Sequence, residues 1–173
     1  MRAGKPKTSK KQPTGTGLDF GMTQPPPKPR RWLLSVDPRQ YHWDTLFVKG
    51  KEMWRHAGDK PEAFRQLKLV HKGDRVLCYH GKAEHSVYAL AEVTRDPYAD
   101  PHHPDEKKLV MDLRAIERLP RQVTLAEMRE SRALRKVKFL KNTRLTISPL
   151  TDEEYAEILR MAGIVASPGI PLP

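Results

Sequence analysis

The sequence predicts an α+β fold: a small closed β-barrel with flanking short helices, preceded by a disordered basic arm. Two runs, Arg75–Tyr79 and Val87–Val93, alternate as β-strands do and are apolar on nearly both faces. Strands of this kind belong inside a closed sheet, because a strand with one face in water is polar on that face. Gly73-Asp74 is a turn signal before the first run, and Asp96-Pro97 is expected to end the second because proline cannot donate to a ladder.

The remaining elements are expected to close the barrel and cover its ends. Apart from the central pair, we predict strands over Arg31–Val36, Lys108–Ile116 and Leu145–Ile147, with a turn at Pro120. A compact turn or short helix around Tyr41–Phe47, with Asp44 as a possible cap, and a helix from Pro61 to about Leu67 are also predicted. Two capping boxes predict two helices. Thr124 with Glu127 opens a helix from Leu125 to about Ala133, and Thr151 with Glu154 opens a second helix that runs to about Met161.

Charge and composition divide the chain into an arm, a domain and a tail. The formal net charge is +11, and residues 1–31 carry eight Lys/Arg against the single acid Asp19. We predict a disordered, Lys/Pro-rich arm over residues 1–30, a folded domain over 31–164 and a loose C-terminal tail over 165–173. A basic arm favours a polyanion partner, most often nucleic acid, although a solubilising tail has the same composition.

Several classes of protein are disfavoured by what the sequence lacks. The single Cys78 gives neither a disulfide framework nor a cysteine zinc site, and no apolar run has the length of a membrane span. The chain has no P-loop, G-x-S-x-G or H-E-x-x-H motif, so we expect no cofactor. We expect a cytoplasmic monomer that could associate with a nucleoid, or a nuclear protein if the source is eukaryotic.

One histidine-rich loop keeps an enzyme alternative open. His102-His103-x-Asp105, together with His80 and His85, has residue types that bind metals. The alternative is a small metal-dependent hydrolase that uses the His102/His103 loop. We expect no metal here, because ligands must converge in space and this loop is rich in proline.

An ordered set of residues resembles a known family. In chain order they are Trp32-Leu33-Leu34, Asp37-Pro38, Tyr41, Trp43-Asp44, Trp54, Gly73-Asp74-Arg75-Val76, Tyr79-His80, Ala91-Glu92-Val93, Tyr98, Leu119-Pro120, Val123-Thr124-Leu125, Arg144-Leu145 and Pro149. This set resembles the EVE domain, also found in thymocyte nuclear proteins and grouped with PUA-like and YTH domains. The resemblance covers about residues 31 to 162. It implies a PUA-like β-barrel that does not catalyse a reaction but binds DNA or RNA through one flipped-out, often modified base.

Together, the resemblance and the chemistry of the residues predict a base pocket. Trp43, Trp54 and Tyr79, with Tyr41, are candidates for a stacking surface; Ser35, Asp37 and Asp59 for hydrogen bonds to the base edge; Arg55 and His80 for the pocket lining; and Lys141 and Arg144 for phosphate contacts. For Trp43 the core is the favoured location, because tryptophans are usually largely buried. Trp54 is expected in an irregular charged loop at the pocket.

A third interpretation follows from two departures from the family pattern. Ser35-Val36-Asp37-Pro38 lacks the family lysine, and Arg55-His56-Ala57-Gly58-Asp59 lacks the family arginine–asparagine pair. The protein could therefore be an adaptor with a degenerate pocket, in which only the basic arm binds nucleic acid.

Overall fold

The computed structural model describes residues 27–57, 60–105, 107–165 and 173. The strands are β1 Arg31–Val36, β2 Lys51–Trp54, β3 Arg75–His80, β4 Ser86–Ala99, β5 Leu109–Thr124 and β6 Ile147–Leu150. The helices are α1 Asp44–Lys49, α2 Pro61–Leu67, α3 Leu125–Glu130, α4 Lys138–Lys141 and α5 Asp152–Met161, with a 3-10 turn at Arg132–Leu134. Most of the predicted arm (residues 1–26) and most of the predicted tail (166–172) lie outside the described residues.

The six strands form one mixed sheet in the order β2-β5-β4-β3-β1-β6. β1 runs parallel to β3, and the other neighbouring pairs are antiparallel. The α+β class is confirmed, and the Arg75–His80 strand is central as predicted. The prediction that the barrel closes is wrong: the short strands β2 and β6, of four residues each, remain the two edges of the sheet.

The opening between the two edges is crossed by a side chain. The hydroxyl of Thr146, just before β6, donates to the carbonyl of Ala57, just after β2, at 2.6 Å. The main-chain N–H of Ser35 in β1 donates to the carbonyl of Thr146 at 2.9 Å. The segments on either side of the opening are therefore held together without a strand pairing.

Two prolines that were expected to end strands lie inside them. β4 continues through Pro97 to Ala99, and β5 continues through Pro120 to Thr124. Both predictions were wrong because the strand pairing shifts register there, between Arg95 and Tyr98 and again opposite Val87–Ala89. At such irregularities the sheet does not need a hydrogen bond from the residue that proline occupies, so its lack of an N–H costs nothing.

The sheet separates two hydrophobic cores. In β1 the side chains of Trp32, Leu34 and Val36 enter one core and Leu33 enters the other, which is the alternation predicted for a strand apolar on both faces. The Trp32 indole N–H donates to the buried Asp74 carboxylate at 2.7 Å, so its polar end is satisfied. Trp43 also lies in the first core, the location that the sequence favoured.

The starts of α2, α3 and α5 were predicted correctly, although α3 ends at Glu130 rather than near Ala133. α2 spans the predicted Pro61–Leu67, and both predicted capping boxes form at the starts of α3 and α5. Asp44 does not cap α1; its carboxylate accepts hydrogen bonds from Tyr88 and Arg118 instead. Within the described residues, no helix has the length and apolarity needed to cross a membrane.

Candidate nucleic-acid interface

An open cavity of about 820 Å³ lies at the gap between the two sheet edges. Its walls come from the end of β1, the segment after β2, the β3–β4 loop and the segment before β6. The lining residues are Ser35, Val36, Asp37, Gln40, Tyr41, Arg55, His56, Lys60, Tyr79, Gly81, Lys82, His85, Thr143, Arg144, Leu145 and Thr146. Volumes of a few hundred to a thousand Å³ are typical of small-molecule sites.

Asp37 places an ionised carboxylate on the cavity wall. The sequence positions it at the end of β1, where Pro38 stops the strand and Gln40 and Tyr41 turn back onto its carbonyl. Its carboxylate accepts hydrogen bonds from the backbone and guanidinium of Arg39, which lowers the pKa of Asp37 to about 2. An ionised carboxylate only accepts hydrogen bonds, so a group that binds it must donate.

Tyr41 and His56 form an aromatic wall. Their ring centroids are 4.5 Å apart and the planes are tilted by 38°. The Tyr41 hydroxyl donates to Glu52 at 2.7 Å, which fixes the ring. Burial lowers the pKa of His56, so its imidazole is held towards the neutral form. Rings that are fixed before a ligand arrives offer a planar apolar group a surface with little ordering cost.

Tyr79 lies deep on another wall. Its ring packs edge-on against Phe139 of α4 at 4.7 Å, and its hydroxyl lies 3.5 Å from Nδ1 of His85. Burial, opposed by the charge of Arg129, raises the pKa of Tyr79 to about 12. The phenol therefore keeps its proton near neutral pH and remains able to donate a hydrogen bond.

The rim of the cavity is basic. Arg55, Lys60, Lys82 and Arg144 line it, whereas Asp37 is the acidic residue among the lining side chains. Lys60 donates to the carbonyl of Arg144 at 3.1 Å, and the Arg144 guanidinium has no partner among the described residues. Lys82 adopts a positive φ of 57°, a backbone region that L-residues rarely occupy. The arrangement offers cations to an anion at the mouth of the cavity.

The structure brings together about half of the predicted site. Ser35, Asp37, Arg55, Tyr79 and Arg144 line the cavity, and Tyr41 lines it too. Trp43, Trp54, His80 and Lys141 do not, and Asp59 lies outside the described residues. The sequence reasoning did not single out the lining residues Gln40, His56, Lys60, Lys82, Thr143 and Thr146. Two of these residues could have been found from their neighbours in the sequence: His56 follows the predicted pocket residue Arg55, and Lys82 follows Gly81.

Trp54 is the main correction. It was expected in an irregular charged loop at the pocket, but it ends β2 and pairs opposite Met111 of β5. Its side chain is only 2% exposed and lies in the first core. The prediction failed because β2 is only four residues long, two of them charged, and is too short to show the period-two pattern of a strand.

His80 is buried and has a structural role that the sequence did not reveal. Its Nε2 accepts the main-chain N–H of Trp43 at 3.1 Å, and its Nδ1 lies 2.6 Å from the Glu84 carboxylate. The acceptor role of Nε2 assigns the proton to Nδ1, which then donates to Glu84. His80 thereby joins β3, the start of α1 and the β3–β4 loop.

Neither candidate group of metal ligands is well arranged to bind a metal ion. Among the described residues, the grouping with suitable ligand atoms is His42, His80 and Glu84 rather than the His102/His103 loop of the hydrolase alternative. A metal at Nδ1 of His80 would need an unprotonated nitrogen there, while Trp43 already requires an unprotonated Nε2. His103 uses its own Nδ1 to accept the Asp105 N–H at 3.1 Å.

Comparison with known proteins identifies relatives of this fold. The family model for the EVE domain matches residues 30–161. Protein Rpa0253 from Rhodopseudomonas palustris is 27% identical, with a TM-score of 0.75 over 82% of this chain and 98% of that one. No curated protein gave a significant match.

Two more distant structures share the fold. Human THYN1, solved in complex with DNA containing 5-methylcytosine, is 18% identical, with a TM-score of 0.70 over 77% of this chain and 97% of that one. The YTH domain of Zygosaccharomyces rouxii MRB1, solved with N6-methyladenosine RNA, is 14% identical, with a TM-score of 0.53 over 79% and 88%. The resemblance stated from the sequence is confirmed: the chain belongs to the EVE domain family.

Proposed function

We propose that this protein binds DNA or RNA and holds one flipped-out, modified base in the cavity between the two sheet edges. The carrying observation is that one cavity combines a fixed aromatic wall, an ionised acceptor and a basic rim. Tyr41 and His56 supply the wall, Asp37 supplies the acceptor, and Arg144 is one of the rim cations. THYN1 and the YTH domain share the fold and were solved with methylated nucleic acids, which supports the proposal.

Each wall of the cavity has a defined task in this proposal. Moving a base out of its stack costs a few kcal/mol of free energy, and stacking on an aromatic side chain offsets about 1–3 kcal/mol of that cost. Tyr41 and His56 provide that surface. Asp37 accepts a hydrogen bond from an exocyclic amine, such as the amine of a cytosine. The phosphates beside the flipped base lie at the rim, where Lys60, Lys82 and Arg144 neutralise them.

The test compares two substitutions of Tyr41 in the full-length protein. Oligonucleotides that differ only in one central base, plain or methylated, are titrated into wild type, Tyr41→Leu and Tyr41→Phe. We expect wild type to discriminate among the bases and Tyr41→Leu to lose most of that discrimination, because the aromatic wall is gone. Tyr41→Phe keeps the ring and should keep most of it.

The outcome separates base recognition from simple charge attraction. Equal affinity of wild type for every base would contradict the proposed function. The adaptor interpretation, in which the arm alone binds nucleic acid, would then account for any remaining salt-sensitive affinity.

A further inference from the structure

A second basic segment directly precedes the cavity-lining residues Thr143 and Arg144 in the chain. It consists of the exposed cations of the segment from α3 to α4: Arg129, Arg132, Arg135, Lys136, Lys138 and Lys141. We call these six residues the α4 cations. The same segment buries Leu134, Val137 and Phe139 in the second core, which turns its charged side chains to the outside.

The α4 cations are uncompensated, whereas most arginines elsewhere in the described residues are paired. Elsewhere in the described residues nine arginines lie within 4.0 Å of an Asp or Glu carboxylate. None of the α4 cations has such an ion pair in the described part of the chain, and the segment 129–141 contains one acid, Glu130. Their positive potential is therefore available to an external anion.

The α4 cations are physically joined to the cavity. Phe139 of α4 packs on Tyr79 in the cavity wall, and a guanidinium N–H of Arg129 points at the Leu140 carbonyl at 3.5 Å. At the C-terminal end of α4 the chain leads directly into Thr143 and Arg144, which line the cavity. Lys141 is the last residue of α4, two positions before the cavity-lining Thr143.

One of the α4 cations also lies close to the end of the arm. Lys138 lines a second, smaller cavity of about 480 Å³ together with Lys28, Arg30, Arg31 and Asp152. Asp152 pairs with Lys28 and Arg31, which leaves Lys138 and Arg30 without a carboxylate partner in the described residues. Lys28 and Arg30 belong to the last residues of the basic arm, residues 1–30 by sequence, next to the folded domain.

We propose that the α4 cations form a phosphate track that carries the strand from the base cavity, past Lys141 and Lys138, to the second cavity beside the arm. The partner is thus a nucleic-acid strand several phosphates long, bound on one side of the recognised base. This inference rests on the proposed function for its starting point at the cavity. Phosphate contacts add affinity without base preference, so the track fixes where the strand lies and the cavity decides which base is accepted.

The first test measures how binding depends on salt. Wild type and the double variant Lys138→Gln/Lys141→Gln are titrated with single-stranded DNA carrying 5-methylcytosine or cytosine at its centre. Each lost contact to a single strand makes the slope of log K against log[salt] shallower by about 0.7, so the variant slope should be shallower by about 1.4. At about 0.15 M salt its affinity should be about tenfold lower for both oligonucleotides.

The matched control removes the same charge elsewhere. Lys49→Gln/Lys51→Gln also loses two positive charges, but these lysines are paired with Glu52 and Asp112. We expect its slope to stay near that of wild type. Equal slopes for the two double variants would overturn the track. The ratio between the two oligonucleotides in wild type tests the proposed function separately, because the track should not change that ratio.

The second test uses the one-sided geometry. Short DNA with the recognised base is extended on its 5′ side only or on its 3′ side only. Extension along the track should raise the affinity of wild type, whereas extension the other way should raise it less. Lys138→Gln/Lys141→Gln should abolish that asymmetry. Equal gains on both sides, unchanged in the variant, would contradict the track.

Discussion

The main-chain N–H of Trp43 donates to Nε2 of His80 at 3.1 Å, and this bond fixes the proton of the buried imidazole on Nδ1. The ring also stacks near His42, with centroids 4.3 Å apart, and faces Glu84 at 2.6 Å. A second proton on Nε2 would point at the Trp43 N–H. The folded structure therefore favours the neutral form of His80.

This preference predicts how stability depends on pH. Burial lowers the pKa of His80 below 6.5, opposed by the nearby carboxylates of Glu84 and Asp44. The unfolded chain therefore takes up a proton first as the pH falls, so the free energy of unfolding decreases below about pH 6.5. Part of this decrease should be missing in His80→Gln, measured by urea unfolding between about pH 7 and pH 5. His56 contributes in the same direction, so some decrease should remain. An identical decrease in both proteins would contradict the assignment.

Trp54 should be essential for stability and dispensable for base choice. Trp54→Ala removes a fully buried side chain and should lower the free energy of unfolding by about 3–5 kcal/mol. Trp54→Phe keeps most of the apolar volume and removes an indole N–H that has no hydrogen-bond partner in the described residues. The Phe variant should fold and discriminate among bases as wild type does. A folded Trp54→Phe protein that had lost its discrimination would place Trp54 in the site after all.

Each capping box should contribute a measurable amount of stability. In α5 the Thr151 hydroxyl accepts the Glu154 N–H at 3.1 Å, and in α3 Thr124 accepts the Glu127 N–H at 3.2 Å. Thr151→Ala and Thr124→Ala should each lower the free energy of unfolding by about 1 kcal/mol. Serine at either position keeps the hydroxyl and should restore most of the loss. An alanine variant as stable as wild type would mean that the cap is replaced by water.

Asp37 should set which kind of base edge the cavity accepts. Asp37→Asn can still accept the Arg39 N–H, so the turn should survive, but it replaces one acceptor oxygen with a donor. We expect weaker binding of bases that present an exocyclic amine and relatively better binding of bases that present a carbonyl. Because the pKa of Asp37 is about 2, wild-type preference should not change between about pH 5 and pH 8 on its account. An unchanged preference in Asp37→Asn would remove Asp37 from the base edge.

The basic arm should add affinity without base preference. Replacing Lys5, Lys7, Lys10 and Lys11 by glutamine in the full-length protein should weaken binding of all oligonucleotides alike and make the salt dependence shallower. The ratio of affinities for a methylated and a plain base should stay constant. A change in that ratio would mean that the arm itself reads the base.

The sequence predicted the elements whose signals are local. α2 begins at Pro61 and the two capping boxes form because cap chemistry is decided within four residues. The β1 boundaries followed from an apolar run closed by Asp37-Pro38. The open sheet edge could not be predicted, because it depends on whether the distant segments β2 and β6 meet.

The candidate site was predictable only in part for the same reason. Ser35, Asp37 and Tyr79 lie at strand ends that the sequence defines, and they reach the cavity. His56 and Thr146 reach it because the segments after β2 and before β6 fold over the opening. The contact that joins them, from Thr146 to Ala57, is between residues 89 positions apart in sequence. Trp54 was misplaced because no pattern in four residues distinguishes a short edge strand from a loop.

The central claim is that this cavity reads one base, and nuclear magnetic resonance of the isotope-labelled full-length protein tests it most directly. The protein is bound in turn to two oligonucleotides that differ by a single methyl group on the central base. The account predicts that amide shifts differ between the two complexes at cavity residues such as Ser35, His56, Tyr79 and Thr146, and stay the same along α4. Identical spectra for the two complexes, or differences confined to residues 1–30, would contradict it.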